Sequence, residues 1–405
     1  MSRHARSGRF PPGPISCALA LVAACGGTAP TPPEPSPSPG SPLVLVNGTL
    51  VDGTGAAPVA DAVVVTNGDR IVGLGPRAAV AVPAGASVVD VRGGTVLPGL
   101  INAHVHDAFD AGRLQAWAQA GVTTVRDMEI LATGAGVLES MMAMRRTTLA
   151  APGNARLLSV GHMITVPGGY GRNYVTSPDE ARRRVLEQVN LGVDVVKFSL
   201  ETGYAGVTNL PLLSPEEVAA IVAAAHERGR RVTAHVTQAR FLRELVEAGA
   251  DEAAHMPYDA LPDELIRHMV DDGFVVVPTL TVLEAFGALS STSANLRRFV
   301  AAGGQVALGN DYTSVPQNNF DHFELGMPIH EINRMREAGM TPMQVLVAAT
   351  KTAARACGRE SDLGVLAEGK IADVLVVEGD PLADLSALTR PRLVVHDGVI
   401  IRGGS

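Results

Sequence analysis

Six side chains able to bind metal or move protons stand at or just after the ends of short apolar runs in this 405-residue chain: His104, His106, Lys197, His235, His255 and Asp311. His104-Val105-His106 sets two imidazoles two residues apart, so on an extended strand both face the same way. Taken alone, that pair fits a polar strand end as well as a metal ligand set, and Asp311 after Gly309-Asn310 fits a turn. Shared placement at successive strand ends is what favours a common site.

Lys197 carries the sharpest signal. Of the 33 Lys and Arg residues only Lys197, Lys351 and Lys370 are lysine, and Lys197 lies inside the apolar run Val195-Val196-Lys197-Phe198. An unpaired ammonium is unfavourable there. A buried lysine readily loses its proton, and the free amine can take up carbon dioxide as a carbamate whose two anionic oxygens bridge two cations. A salt-bridged lysine and a Schiff-base lysine are the alternatives. The four strand-end histidines favour the carbamate, because Schiff-base chemistry needs no such cluster.

Two divalent ions roughly 3.5–4 Å apart make hydroxide available near neutral pH. Zinc is the default ion for imidazole and oxygen donors, with manganese, cobalt and iron left open. One ion would sit on His104, His106, Lys197 and Asp311, the other on carboxylated Lys197, His235 and His255. Asp311 would take the proton of the attacking water and pass it to the leaving group. This suits amides, since an amine leaves only when protonated.

Such a cluster needs a scaffold that brings distant strand ends together. Apolar runs at 95–101, 123–127, 156–160, 195–199, 231–235, 252–255, 274–277 and 305–308 alternate with helical segments. Eight strands over about 265 residues predict an α/β fold, a (β/α)8 TIM-type barrel across 96–362 with its catalytic groups at the C-terminal strand ends. Ser177-Pro178, Ser214-Pro215 and Thr341-Pro342, each with Glu or Gln following, mark helix starts, and Gly229 and Gly249 mark helix stops. The flanking stretches 43–95 and 363–405 hold short runs with Asn-Gly and Asp-Gly turns, which predict hairpins pairing into one small composite β-sandwich.

Residues 1–24 have the layout of a secretory signal: Arg3, Arg6 and Arg9, then an apolar stretch from 15 to 24. Val22-Ala23-Ala24-Cys25 resembles the bacterial lipobox, which predicts lipidation at Cys25 and an exported lipoprotein at the cell envelope. The Pro- and Ser-rich stretch 25–42 suits a spacer. A net charge of −8 argues against a nucleic-acid partner. No apolar run reaches the roughly 18 residues of a membrane span, so membrane contact is expected only through the lipid. With Cys17 and Cys25 near the start, Cys357 stands alone and no disulfide framework forms.

Across residues 43–405 the sequence resembles the amidohydrolase superfamily, in particular its imidazolonepropionase-like and prolidase-like branch. The resemblance is carried by Pro98-Gly99-Leu100-Ile101-Asn102-Ala103-His104-Val105-His106, Asp194-Val195-Val196-Lys197, the run from Gly249 to His255, Val277-Pro278-Thr279-Leu280, Gly309-Asn310-Asp311 and the run from Gly364 to Asp373. It implies the same six ligands and a metal-dependent hydrolase; members of that branch often form oligomers, which leaves a homo-oligomer open here. Where that branch has Gly-Gly-His-Gly after the third strand, this chain has Gly168-Gly169-Tyr170-Gly171, and Ala254 replaces a Glu before His255. Tyr170, Arg172 and Tyr204 are the expected substrate contacts, Arg172 as a clamp for a carboxylate and Tyr204 as a donor to a scissile carbonyl. His162 and His322 match no ligand position. The expected activity is hydrolysis of a C–N amide bond in a small substrate, a dipeptide or N-acyl amino acid. Alternatives are a cyclic amide, carbamate or lactone at the same site, and a non-catalytic surface binding protein on the same scaffold, which the six filled positions disfavour.

Overall fold

The structure is a computed structural model that describes residues 41–203, 208–315 and 321–403. Cys25 and Tyr204 lie outside the described residues, as does everything before residue 41.

Along the chain, β1 (Leu43–Leu50), β2 (Val59–Asn67), β3 (Arg70–Pro76), β4 (Ser87–Asp90) and β5 (Thr95–Pro98) come first. Next are β6 (Leu100–Val105), β7 (Val122–Asp127), β8 (Arg156–Ser159), β9 (Ile164–Thr165) and β10 (Asn173–Tyr174). Then follow β11 (Val195–Ser199), β12 (Arg231–His235), β13 (Glu252–Ala254), β14 (Val275–Val277) and β15 (Gln305–Val306). The chain closes on β16 (Val374–Val377), β17 (Pro391–His396) and β18 (Val399–Arg402).

Strands from both flanking stretches share one sheet, in the order β18-β17-β16-β5-β1-β2-β3 with β4 also beside β1. These strands form one hydrogen-bonded network. β1 makes this possible by changing partners: its first four residues pair with β4 and its last two with β5. Between them Asn47 takes φ 63°, and a Cβ on Gly48 would lie 2.7 Å from Val91. The antiparallel pairing of β5 with β16 joins the two ends of the chain, and Leu45, Val64, Val96, Val374 and Val395 form part of one apolar cluster beneath it. The β17–β18 hairpin turns on Asp397 and Gly398, at φ 48° and 77°, the backbone that an Asp-Gly pair favours.

The middle of the chain is parallel α/β. β6, β7 and β8 form one parallel sheet, and β10-β9-β11-β12-β13-β14-β15 another. Backbone bonds run between them at both seams. Ala103 donates to Leu308 (2.8 Å), Asp311 to His104 (2.9 Å) and His106 to Tyr312 (2.7 Å), while Asp194 donates to Ser159 (2.9 Å). Between the sheets, Arg126 of β7 and Glu252 of β13 form a fully buried ion pair (2.5 Å), with Arg126 also donating to the carbonyls of Ala103 and Ala356.

The first expected strand, 95–101, is divided. Pro98 ends β5 in the terminal sheet and Leu100 begins β6, with Gly99 between them. Pro98 has no N–H to continue a ladder, Gly99 donates to Asp373 (2.9 Å) and Leu100 to Gly121 (3.0 Å). A Cβ on Gly99 would lie 2.2 Å from Thr123 Oγ1, so only glycine passes there.

Helices begin where hydroxyl caps predict. Ser177 caps the helix Pro178–Leu191, and Ser214 and Thr341 form full capping boxes for the helices Pro215–Glu227 and Pro342–Val347. Gly229 and Gly249, at φ 63° and 77°, release the chain into β12 and towards β13. These short connections fix where each strand ends, and therefore where the side chains at the ends converge.

Candidate metal centre

Two histidines on β6 and its extension face the chain after β15. His104 Nε2 lies 3.2 Å and His106 Nε2 3.1 Å from the same Asp311 oxygen, Oδ1. The backbone bond from Asp311 to His104 sets that register. Gly309 permits the approach, because a Cβ there would come within 2.4 Å of Val277 and 2.6 Å of His104. Ligand atoms of His104, His106 and Asp311 all lie within 4.8 Å of one another.

The second pair comes from β12 and the end of β13. His255 Nε2 lies 2.9 Å from His235 Nδ1, and His255 Nδ1 lies 2.7 Å from Thr279 Oγ1. The His104 and His255 rings are 5.0 Å apart, which links the two pairs. Lys197, in the middle of β11 and opposite Thr233, is 2% exposed. Its charge acts on all four imidazoles. The structure therefore brings all six expected ligand residues into one cluster, five of them buried and His106 partly so.

His255, Thr279 and Asp311 hold φ values of 84°, 47° and 54°. Left-handed backbone at non-glycine residues persists where the surroundings over-determine it, and it collects at functional sites.

Burial dominates the electrostatics. It drives His104 down to about 3 against the opposing charge and hydrogen bond of Asp311. Burial likewise lowers His235 and His255. For His106 burial opposes the charge, but the bond and charge of Asp311 carry it upward. Burial works against ionised Asp311, yet His104 and His106 hold its carboxyl well below the usual range. Burial also lowers Lys197, towards the neutral amine, while Glu129 and Asp311 resist.

The donor set fits divalent metal. Both nitrogens of His104 are enclosed; Nδ1 has no hydrogen-bond partner, and Nε2 faces Asp311 Oδ1 at 3.2 Å. A neutral imidazole has a lone pair to give, and imidazoles with a carboxylate suit zinc-like ions. A second cluster of similar composition, Asp373, His396 and Asp397, differs in that the Arg156 guanidinium already bridges Asp373 (2.7 Å) and Asp397 (2.5 Å).

The substrate contacts divide. The Tyr170 ring lies against His235, with centroids 4.4 Å apart, and burial pushes its hydroxyl upward so that it keeps its proton. Arg172 donates from Nη1 to the Leu131 carbonyl (2.9 Å), pinned to the loop after β7. Tyr204 lies outside the described residues. His162 contacts the Ala132 carbonyl (3.1 Å) and His322 stacks on His330 (4.2 Å), so neither joins the cluster.

Two buried carboxylates beside the cluster escaped the sequence reading. Glu201, just past β11, accepts from Thr237 Oγ1 (2.5 Å) and Gly203 N (2.8 Å) and lies 3.5 Å from His235. Glu129, two residues past β7, is 9% exposed. The strand-end rule that found the other ligands would have found both, had the ends of β7 and β11 been followed two residues further.

The profile of the Amidohydrolase family matches residues 95–403. The chain is 29% identical over 292 residues to the ochratoxinase of Aspergillus niger, covering 65% of this chain and 58% of that protein. It thus spans less than two thirds of that relative's length. To the imidazolonepropionase of Symbiobacterium thermophilum it is 29% identical over 359 residues, 76% of this chain and 81% of that one. Among solved structures, a Xaa-Pro dipeptidase with bound methionine superposes with a TM-score of 0.77 at 23% identity, covering 90% of this chain and all of that one, a likeness of fold.

Proposed function

The chain belongs to the amidohydrolase family, and from that premise we propose that it is a metal-dependent hydrolase cleaving the C–N amide bond of a small substrate, a dipeptide or an N-acyl amino acid. The observation that carries this reading is the convergence of His104, His106 and Asp311 within 4.8 Å, beside the His235–His255 pair. We read the two parallel sheets as one (β/α)8 barrel, 96–362, closed through the backbone bonds at their seams, with 43–95 and 363–405 as a composite β unit.

His104, His106, Asp311 and carboxylated Lys197 would hold one ion, and Lys197, His235 and His255 the other, zinc being the ion this donor set favours. When bound, such ions supply Lewis acidity and a nucleophilic water that ionises near neutral pH. The chain's own groups do the rest. Asp311, kept ionised by its two histidines, receives the proton of the attacking water and delivers it to the leaving nitrogen. Tyr170, protonated and packed on His235, donates a hydrogen bond to the substrate. Arg172 spends one donor on Leu131 and keeps the others for a substrate carboxylate. Burial of the cluster excludes bulk water and strengthens each of these interactions.

The test is metal content and turnover on protein purified without chelators. Close to two divalent ions per chain, loss of activity on chelation and recovery with zinc and bicarbonate are expected. Dipeptides and N-acyl amino acids should be cleaved in preference to lactones and carbamates. A chain that binds no metal, or that cleaves only esters, would sink the reading. From the sequence alone we also propose export and lipidation at Cys25, which detergent-phase partitioning of the full chain and of Cys25→Ala would check.

A further inference from the structure

Glu129 is a carboxylate with no use so far. β7 ends at Asp127, which receives the N–H of Ala108 (3.0 Å) and of Glu129 itself (3.2 Å). Glu129 lies two residues past the end of β7, on the same strand-end side as the histidines. It is 9% exposed, and its Oε1 is enclosed without a hydrogen-bond donor. The charges that act on it are Lys197, then His106 and Arg172, while burial pushes its carboxyl up. It therefore borders the metal cluster and the expected substrate clamp together.

A buried carboxylate oxygen without a donor calls for a cation. Two of the cations nearby are directed elsewhere: His106 is bonded to Asp311, and Arg172 Nη1 donates to the Leu131 carbonyl. If Lys197 becomes a carbamate, its positive charge is replaced by a negative one, and the need at Glu129 grows. Glu201 makes the contrast, since its oxygens already receive Thr237 and Gly203. Of the two buried acids, Glu129 is the one with an oxygen that no donor reaches.

We propose that Glu129 binds the ammonium group of a substrate whose primary amine lies one carbon from the scissile carbonyl. The enzyme then takes amides of free amino acids, such as dipeptides with an unblocked N-terminus, and discriminates against their N-acylated counterparts. The inference rests on the hydrolase reading and narrows it, separating two substrate classes left together above. It also gives the two ends of a dipeptide separate partners, Glu129 for the amine and Arg172 for the carboxylate.

The experiment compares the wild type, Glu129→Gln and Glu129→Asp on a dipeptide and its N-acetyl form, with metal per chain measured for each. A charge-assisted hydrogen bond makes a difference of about 10–100-fold. The wild type should favour the free amine by that factor, Glu129→Gln should lose most of the preference through KM, and Glu129→Asp should keep part of it. Equal preference in wild type and Glu129→Gln overturns the proposal, as does wild-type preference for the acetylated form. Loss of metal in Glu129→Gln also overturns it, because Glu129 would then be holding an ion. Thermal stabilisation by L-leucinamide against N-acetyl-leucinamide reads the same contact without turnover. If neither dipeptide is cleaved but leucinamide alone stabilises the wild type and not Glu129→Gln, the amine site stands and the hydrolase reading fails.

Discussion

His255 Nδ1 and Thr279 Oγ1 lie 2.7 Å apart, and both residues sit in left-handed backbone at the ends of neighbouring parallel strands. The loop that carries Thr279 is itself held: Glu331 accepts the N–H groups of Leu280 (2.8 Å) and Thr281 (2.7 Å) and the Thr281 hydroxyl (2.7 Å). Were His255 to hold an ion through Nε2, its proton would stay on Nδ1, where Thr279 Oγ1 would accept it. Partners of this kind fix the tautomer and the ring orientation, and their loss weakens metal binding by about 10–100-fold. Thr279→Val, which keeps the shape and removes the hydroxyl, should show that loss in a competitive zinc titration. An unchanged affinity would leave Thr279 with a packing role only.

Lys197→Ala and Asp311→Asn should separate holding metal from moving protons. Without Lys197 the cluster would lose the carbamate proposed to help hold both ions, and metal per chain should fall with activity while the circular dichroism stays native. Asp311→Asn should keep at least one ion and lose turnover by about 10²–10⁴-fold, the usual range for general acid–base groups. Full activity in either variant would remove that residue from the mechanism.

Glu331 gives stability a pH dependence of known sign. Burial pushes its carboxyl up to about 7 from 4.5, despite the three donors it accepts. The folded chain therefore holds this proton across a window in which the unfolded chain has released it. The stabilising contribution is complete below about 4.5 and is lost as pH rises through about 7. Between pH 5 and pH 8 the wild type should lose stability relative to Glu331→Gln, read as converging or crossing urea midpoints. Parallel curves would place the ordinary carboxylate value at Glu331.

The Arg126–Glu252 pair should be fragile to half-removal. Both partners are buried, and Thr233 adds a hydrogen bond to Glu252 (2.9 Å). Glu252→Ala strands a guanidinium among apolar strands and should lower stability by about 3–5 kcal/mol. Arg126→Met combined with Glu252→Leu should recover most of it, since an apolar pair of similar volume has no charge to desolvate. Additive losses in a denaturant-unfolding cycle would contradict this account.

Much of the site was legible because its signals are local. The spacing of His104 and His106, the lysine in an apolar run and the aspartate after Gly309-Asn310 need only the strand period and the rule that parallel strands present chemistry at their C-terminal ends. The capping hydroxyls and the Asp397-Gly398 turn are equally local, and the structure follows them. Other features depend on residues far apart in sequence. The passage of the chain from one sheet to another at Gly99 is set by Asp373 and Thr123, so the periodicity of 95–101 reads as one strand.

Glu129 belongs with that second group. In Asp127-Met128-Glu129 only position marks a site residue, two places beyond a strand end. Its carboxylate acquires meaning only because parallel strands bring it beside Lys197, some 70 residues on in the sequence. Sequence alone thus determined which side chains can bind metal and which segments present them, since residue type and strand period are properties of the chain. Tertiary structure decided which buried charges face each other and which remain open, because burial and Coulomb interaction depend on distance in space.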